Sequence, residues 1–244
     1  MVAAAARLAL RHNACSRPLR RALLTTALGR IPASDRLWID RIEAARPQLA
    51  AGAIAATEDS VDRPEAERLE EANTAVKWMS LPPILGRLLL RIVREREPRS
   101  CLELGTGFGI STSYQAAGLE INGEGRVRSL DIDGMIALAR PGIAQLGLDS
   151  RIEFVGGEIE RTLGAAVAAA GSIDFALLDA DHTEAATVEA FDAICPGLAG
   201  GGVVVLDDIH WTNGMRRAWA AIKQRDRVAE AISIRRLGLV VVDG

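Results

Sequence analysis

From Ser100 to the C-terminus, short β-rich apolar runs alternate with helical stretches, and this alternation limits the fold more than any other feature. The strand-like runs are Cys101–Leu104, Val127–Asp131, Ile152–Val155, Ile173–Leu178 and Val203–Leu206. Between and after them the pattern predicts helices over Ile110–Leu119, Met135–Leu146, Ile159–Ala169, Glu184–Ile194 and Met215–Lys223, with Pro141 expected to kink or divide the second. Strands that are apolar throughout, joined by helices, imply a parallel sheet covered on both faces. The last two runs, Ile232–Ile234 and Leu237–Val242, lie too close for a crossover helix and must pair as an antiparallel hairpin. The expectation is an α/β, Rossmann-like sheet of seven strands closed by that hairpin.

The first 99 residues are less regular. Asp35–Leu49 has helical spacing, with Pro47 expected to weaken its end; Pro64–Ala72 reads as a charged helix, and Ile84–Arg94 as an amphipathic one after the break at Ser80-Leu81-Pro82-Pro83. Residues 1–34 contain no acid but six arginines, Arg7, Arg11, Arg17, Arg20, Arg21 and Arg30, which leaves 23 basic groups against 32 acids and a charge of −9 for the remainder. Such a start suits an organelle transit peptide, a helix lying on an anionic membrane, or a poorly ordered basic extension. The division expected is therefore a basic extension over 1–34, a helical cap over 35–80, and the α/β domain over 81–244.

Composition excludes several function classes. A net charge of −3 and 4% aromatic residues argue against a nucleic-acid partner. No apolar run reaches the roughly 18 residues of a membrane span. Cys15, Cys101 and Cys195 have neither metal-ligand spacing nor even number, which fits a reducing cytoplasm, with an organelle as the alternative. Only Lys77 and Lys223 are lysines, so few are at hand as a catalytic base.

Three motifs carry chemistry. Glu103-Leu-Gly105-Thr106-Gly107-Phe-Gly109-Ile-Ser111 joins the first strand to a helix; its glycines permit positive φ and close approach of a ligand, and the helix start offers unpaired N–H groups to an anion. Asp131, at the tip of the second strand, can accept from both hydroxyls of a ribose, with Asp133 as a helix cap; Gly156-Gly157-Glu158 after the third strand would lie beside the base. Asp179 with His182 ends the fourth strand, and Asp207-Asp208-Ile-His210-Trp211 ends the fifth. Adjacent parallel strands open on one edge, so Asp179, Asp207 and Asp208 are brought near one point, where a divalent cation would relieve their repulsion. His210 is expected to have a structural or pocket-lining role, with a second ligand or a substrate contact as the alternative, and Trp211 either walls the pocket or packs.

In this order the motifs resemble class I S-adenosylmethionine-dependent methyltransferases, the resemblance running from about Ser80 to the C-terminus. A short-chain dehydrogenase would need a Tyr-x-x-x-Lys pair, which Tyr114 does not supply. Within the class, the acids are similar to those of metal-dependent O-methyltransferases of catechol and caffeoyl-CoA type, except that His182 stands for a lysine base and Asp208 for an asparagine. Asp-x-x-His followed by paired acids is closer to macrocin- and mycinamicin-type sugar O-methyltransferases. The resemblance implies S-adenosylmethionine on Glu103, Gly105, Thr106, Gly107, Gly109, Ser111, Asp131, Gly157, Glu158 and Asp179. It implies magnesium, with manganese or calcium as alternatives, on Asp179, Asp207 and Asp208, His182 as base toward a small-molecule hydroxyl, and helices before Ser80 that cover the site or form a homodimer interface. The competing reading is a non-catalytic nucleotide-binding module.

Overall fold

The computed structural model describes residues 1–9, 16–55, 74 and 80–243. Among the described residues the helices α1 (Val2–Ala9), α2 (Ser16–Ala27), α3 (Ala33–Ala55) and α4 (Pro83–Arg96) precede the sheet. The alternating region follows as β1 (Ser100–Leu104), α5 (Ile110–Asn122), β2 (Arg126–Asp131), α6 (Asp133–Leu146), β3 (Ile152–Gly156), α7 (Ile159–Ala170), β4 (Ile173–Leu178), α8 (Glu184–Ile194), β5 (Leu198–Leu206), α9 (Asn213–Ile222), β6 (Val228–Ile234) and β7 (Leu237–Val242). The strands form one sheet in the order β3-β2-β1-β4-β5-β7-β6, parallel except that β7 runs against both β5 and β6. This is the Rossmann-like sheet and terminal hairpin that the alternation predicts.

The period-two alternation of side chains divides the core into two layers. Cys101, Val127, Phe175, Leu177, Val203 and Val205 face the layer holding α2 to α6. Leu102, Leu104, Leu130, Ala176, Leu178, Val204 and Leu206 face α7, α8 and α9. Thr183 and Thr212 cap α8 and α9, their hydroxyls accepting from Ala186 N at 3.3 Å and Met215 N at 3.0 Å.

Several details differ from expectation. β5 begins at Leu198, because Gly200–Gly202 enter the strand as an irregularity between the Ile173–Leu198 and Phe175–Val203 pairs. Pro47 and Pro141 sit inside α3 and α6, which continue past them. Asp133 is the first residue of α6, with Ile132 at the cap position and no side-chain cap; its carboxylate instead supports the positive end of the helix. The expected helix over Pro64–Ala72 lies outside the described residues. Within 1–34, α2 is docked and not free: Leu19, Ala22 and Leu23 enter the core while Arg17, Arg20 and Arg21 stay exposed. The arginines lie on one face of an amphipathic helix whose other face finds α4, a spacing that a count of charges does not reveal.

Two buried carboxylates hold the layers in register. Asp35, fully buried at the start of α3, pairs with the buried Arg91 of α4 and accepts from Arg94 Nε at 3.4 Å; Arg91 also pairs with Glu95. Glu103, equally buried at the end of β1, accepts from Thr112 at 2.5 Å, Ser129 at 2.6 Å and Gln115 at 2.7 Å, which ties β1 to β2 and α5. Burial raises its pKa to about 7 against the pull of those hydrogen bonds.

Removing Asp35 leaves Arg91 buried with only Glu95 opposite it, so Asp35→Ala should destabilise the fold by about 3 kcal/mol in urea unfolding. Because folded Glu103 keeps its proton to higher pH than the unfolded chain, its contribution to stability falls as pH rises from 4.5 to about 7. In denaturation series between about pH 4 and pH 8, Glu103→Gln should lose roughly 3 kcal/mol of the wild-type decline across that window.

Candidate functional site

The sheet order reverses between β1 and β4, and a crevice opens beyond their carboxyl ends. The cavity there has a volume of about 780 Å³, and its walls come from the β1–α5 turn, the ends of β2, β4 and β5, the start of α7, and Arg236. Gly105, Thr106, Gly107, Ser111, Asp131, Glu158, Asp179, His182 and Asp208 line it. The lining leaves out Glu103, Gly109, Gly157 and Asp207, which sequence reasoning also named. Glu103 lies beneath the turn and spends its oxygens on this chain's own side chains. Gly109, at φ 76°, packs against Ile143 and Ala139; Gly157 donates its N–H to the Asp131 carbonyl.

The turn has the features of an anion and nucleoside cradle. Gly109 caps α5 without any side-chain hydrogen bond, so the first N–H groups of that helix are not taken by a cap. Gly105 has φ 94°, and a Cβ there would lie 2.2 Å from the Asp179 carbonyl oxygen, which makes glycine obligatory where β1 meets β4. Asp131 closes the other side, accepting from Gly107 N at 2.9 Å and Ile132 N at 2.8 Å. Thr106 reaches Ser129 at 2.7 Å; since Ser129 gives its proton to Glu103, Thr106 is the donor in that pair.

The second half of the site is an acid cluster around one histidine. His182 Nε2 lies 3.3 Å from Asp179 Oδ1 and 3.4 Å from Asp208 Oδ2, yet it is buried without an aligned hydrogen bond. Burial pushes the imidazole pKa down, but the polar contact with Asp179 and the charges of Asp179, Asp208 and Asp207 outweigh it and leave the pKa raised above 6.5. Trp211, 66% exposed, meets the imidazole edge-on with ring centroids 5.1 Å apart, so it stands at the cavity wall. His210 is exposed and does not line the cavity. Asp181, His182, Asp208 and Arg235 all have positive φ, between 43° and 58°. Non-glycine residues held there carry strain, and four of them border one cluster.

Sequence reasoning missed Arg236. It sits in the turn between β6 and β7, whose carbonyl accepts from Ile209 N at 3.0 Å. Its Nε and Nη2 donate to the two oxygens of Asp207 at 2.6 and 2.8 Å, and Nη2 donates to Asp208 Oδ2 at 2.7 Å. Burial raises the Asp207 carboxyl, with the charge of Asp179 adding to it, while Arg236 draws it back; burial raises Asp208 as well, against Arg236 and His182. Asp207 is fully buried under this fork and unavailable to a metal as placed. Among the described residues no group of three acidic, histidine or cysteine side chains is arranged to hold a metal ion. The expected metal set of Asp179, Asp207 and Asp208 therefore does not fit a cation here. The sequence alone carries no signal for it: only once β7 is placed antiparallel beside β5 does the turn entering β7 return to the carboxyl end of β5.

Several known proteins are similar to this chain. A methyltransferase-domain family matches residues 102–209. A caffeoyl-CoA O-methyltransferase from Stellaria longipes is 28% identical over 158 residues, 60% of this chain; the match spans 63% of that protein's length. An O-methyltransferase from Bacillus cereus, solved with S-adenosylhomocysteine, superposes with a TM-score of 0.61 at 22% identity, covering 76% of this chain and 94% of the other. The O-methyltransferase TomG from Streptomyces achromogenes, involved in tomaymycin synthesis and solved with S-adenosylmethionine, gives 0.60 at 20% identity, covering 82% and 90%. With its seven-stranded sheet and its glycine turn at the switch point, the chain shares the fold of these S-adenosylmethionine-dependent O-methyltransferase structures, and its residues 102–209 are similar to a methyltransferase domain.

Proposed function

We propose that this protein moves a methyl group from S-adenosylmethionine to a hydroxyl of a small molecule, with His182 accepting the hydroxyl proton. The observation that carries the reading is the buried, unaligned Nε2 of His182 at the wall of the cavity, beside the glycine cradle. The cradle residues suit the cofactor: the uncapped start of α5 would hold its carboxylate, Asp131 its ribose, and Glu158 the region of its base. When bound, S-adenosylmethionine supplies a methyl on a positively charged sulfur, ready for in-line displacement.

The residues of this chain then have two tasks. One is alignment, since fixing acceptor and donor in line contributes several kcal/mol to lowering the barrier. Trp211 and the walls of the cavity serve that end. The other is proton removal from a weak nucleophile: Asp179 and Asp208 flank the imidazole, favour its protonated form, and so strengthen it as a base. The divalent cation that the resemblance implies has no part here, because Arg236 already satisfies Asp207 and Asp208. A non-catalytic binding module would use the cradle and Asp131 but has no need of a strained histidine between carboxylates. The acceptor is a small molecule with a hydroxyl group, and the name of the Stellaria relative supports the O-methyl assignment. We assign the reaction to the cytoplasm, consistent with the free thiols of Cys101 and Cys195. Among the described residues no helix is long and apolar enough to cross a membrane.

Two variants test the reading with S-adenosylhomocysteine calorimetry and a methyl-transfer assay over a panel of phenol, sugar and polyketide acceptors. His182→Ala should keep binding within about twofold and lower turnover about 100-fold or more. Asp131→Ala should weaken cofactor binding by about 1.5 kcal/mol, near tenfold, through the lost ribose contacts. Unchanged turnover in the first variant would remove His182 from the chemistry.

A further inference from the structure

We infer that Arg236 is a resident cation that fills the place of a divalent metal in this site, so that its acid cluster works without one. Three carboxylates converge at the ends of β4 and β5, and their mutual repulsion in a half-buried site must be relieved by positive charge. The turn between β6 and β7 delivers that charge. Arg236 binds Asp207 with a two-pronged fork and bridges to Asp208 through the same Nη2. Arg236 thereby engages both oxygens of Asp207, whose Oδ1 also accepts from Asp208 N at 2.7 Å; Asp179 and Asp208 face His182, whose Nε2 lies within 3.4 Å of both.

The placement is built into the fold. β7 pairs with β5 from Leu206–Gly238 to Val203–Val241, which fixes the turn at the carboxyl edge. Ile209 N donates to the Arg236 carbonyl at 3.0 Å, and Trp219 of α9 donates to Ser233 at 3.0 Å and packs over Gly238, where a Cβ would come within 2.8 Å of the indole. Arg235, at φ 55°, turns the chain so that its neighbour reaches inward. A guanidinium does not lose its proton in a protein and fits a carboxylate in the plane, so it offsets part of the cluster's charge with a fixed geometry that an exchanging ion does not have. The same donors leave both Nη1 hydrogens without an acceptor among the described residues, on a side chain that lines the cavity.

For the methyl transfer proposed above, on which this rests, the consequence is measurable without knowing the acceptor. The wild type, R236Q, R236K and R236Q/D208A are titrated with MnCl2, followed by manganese electron paramagnetic resonance, and separately with S-adenosylhomocysteine by calorimetry. Wild type and R236K should show no specific manganese uptake. R236Q should bind the ion about tenfold more tightly or better, and R236Q/D208A should lose the gain. Because R236Q leaves Asp207 without its partner, thermal unfolding is followed as well; manganese should raise the R236Q midpoint while leaving wild type unmoved. Stoichiometric manganese binding by wild type, or an R236Q variant with neither uptake nor a raised midpoint, overturns the inference. Wild type that fails to bind S-adenosylhomocysteine removes the methyl-transfer reading instead, whatever the manganese result.

Discussion

No side chain fits between the ends of β1 and β4, and the site depends on that constraint. Gly105 lies so close to the Asp179 carbonyl that a single methyl group would collide with the backbone. The contact occurs where the sheet order reverses, with β2 and β3 leading one way and β5, β7 and β6 the other. The glycine turn and the first carboxylate of the acid cluster are thus neighbours by backbone geometry alone. Cofactor cradle and acid cluster share a wall because the strands permit no gap.

Glu103 and Arg236 secure the two sides of that wall by different means. Glu103 works from underneath, drawing hydroxyl and amide donors from β2 and α5 so that the turn above it is held from below. Arg236 works from the far end of the chain, about thirty residues after the carboxylates it binds. Both are buried electrostatic devices, and such devices specify an arrangement more reliably than they add stability. In each, hydrogen bonds engage both oxygens of one carboxylate, leaving little freedom for it to turn toward a ligand.

Much of the fold was legible because strand periodicity and helix spacing follow directly from which residues must leave water. The seven strands and the antiparallel hairpin were readable from apolar runs and from the short gap between Ile234 and Leu237. The early start of β5 was not, since Gly200–Gly202 has no side chains to mark a pleat. Neither was the docking of α2, because its arginines hide an apolar stripe of Leu19, Ala22 and Leu23. At the site, motif spacing located Asp131, Asp179, His182 and Asp208 on one cavity wall, but it could not distinguish lining from support. Glu103 and Asp207 look identical to the lining acids as letters, and only burial separates them. Arg236 lay far from every motif, and its role depends on a pairing between β5 and β7 that a linear pattern does not display.

The left-handed backbone at Asp181, His182, Asp208 and Arg235 has an evolutionary corollary. Glycine or asparagine at these positions would relax the chain, so selection for robustness alone would drift toward them and away from the side chains present. Their retention would be a signature of chemical need, legible in any set of descendants bred for heat tolerance. A lineage freed from turnover should shed its kinks first at this rim, becoming sturdier as it falls silent.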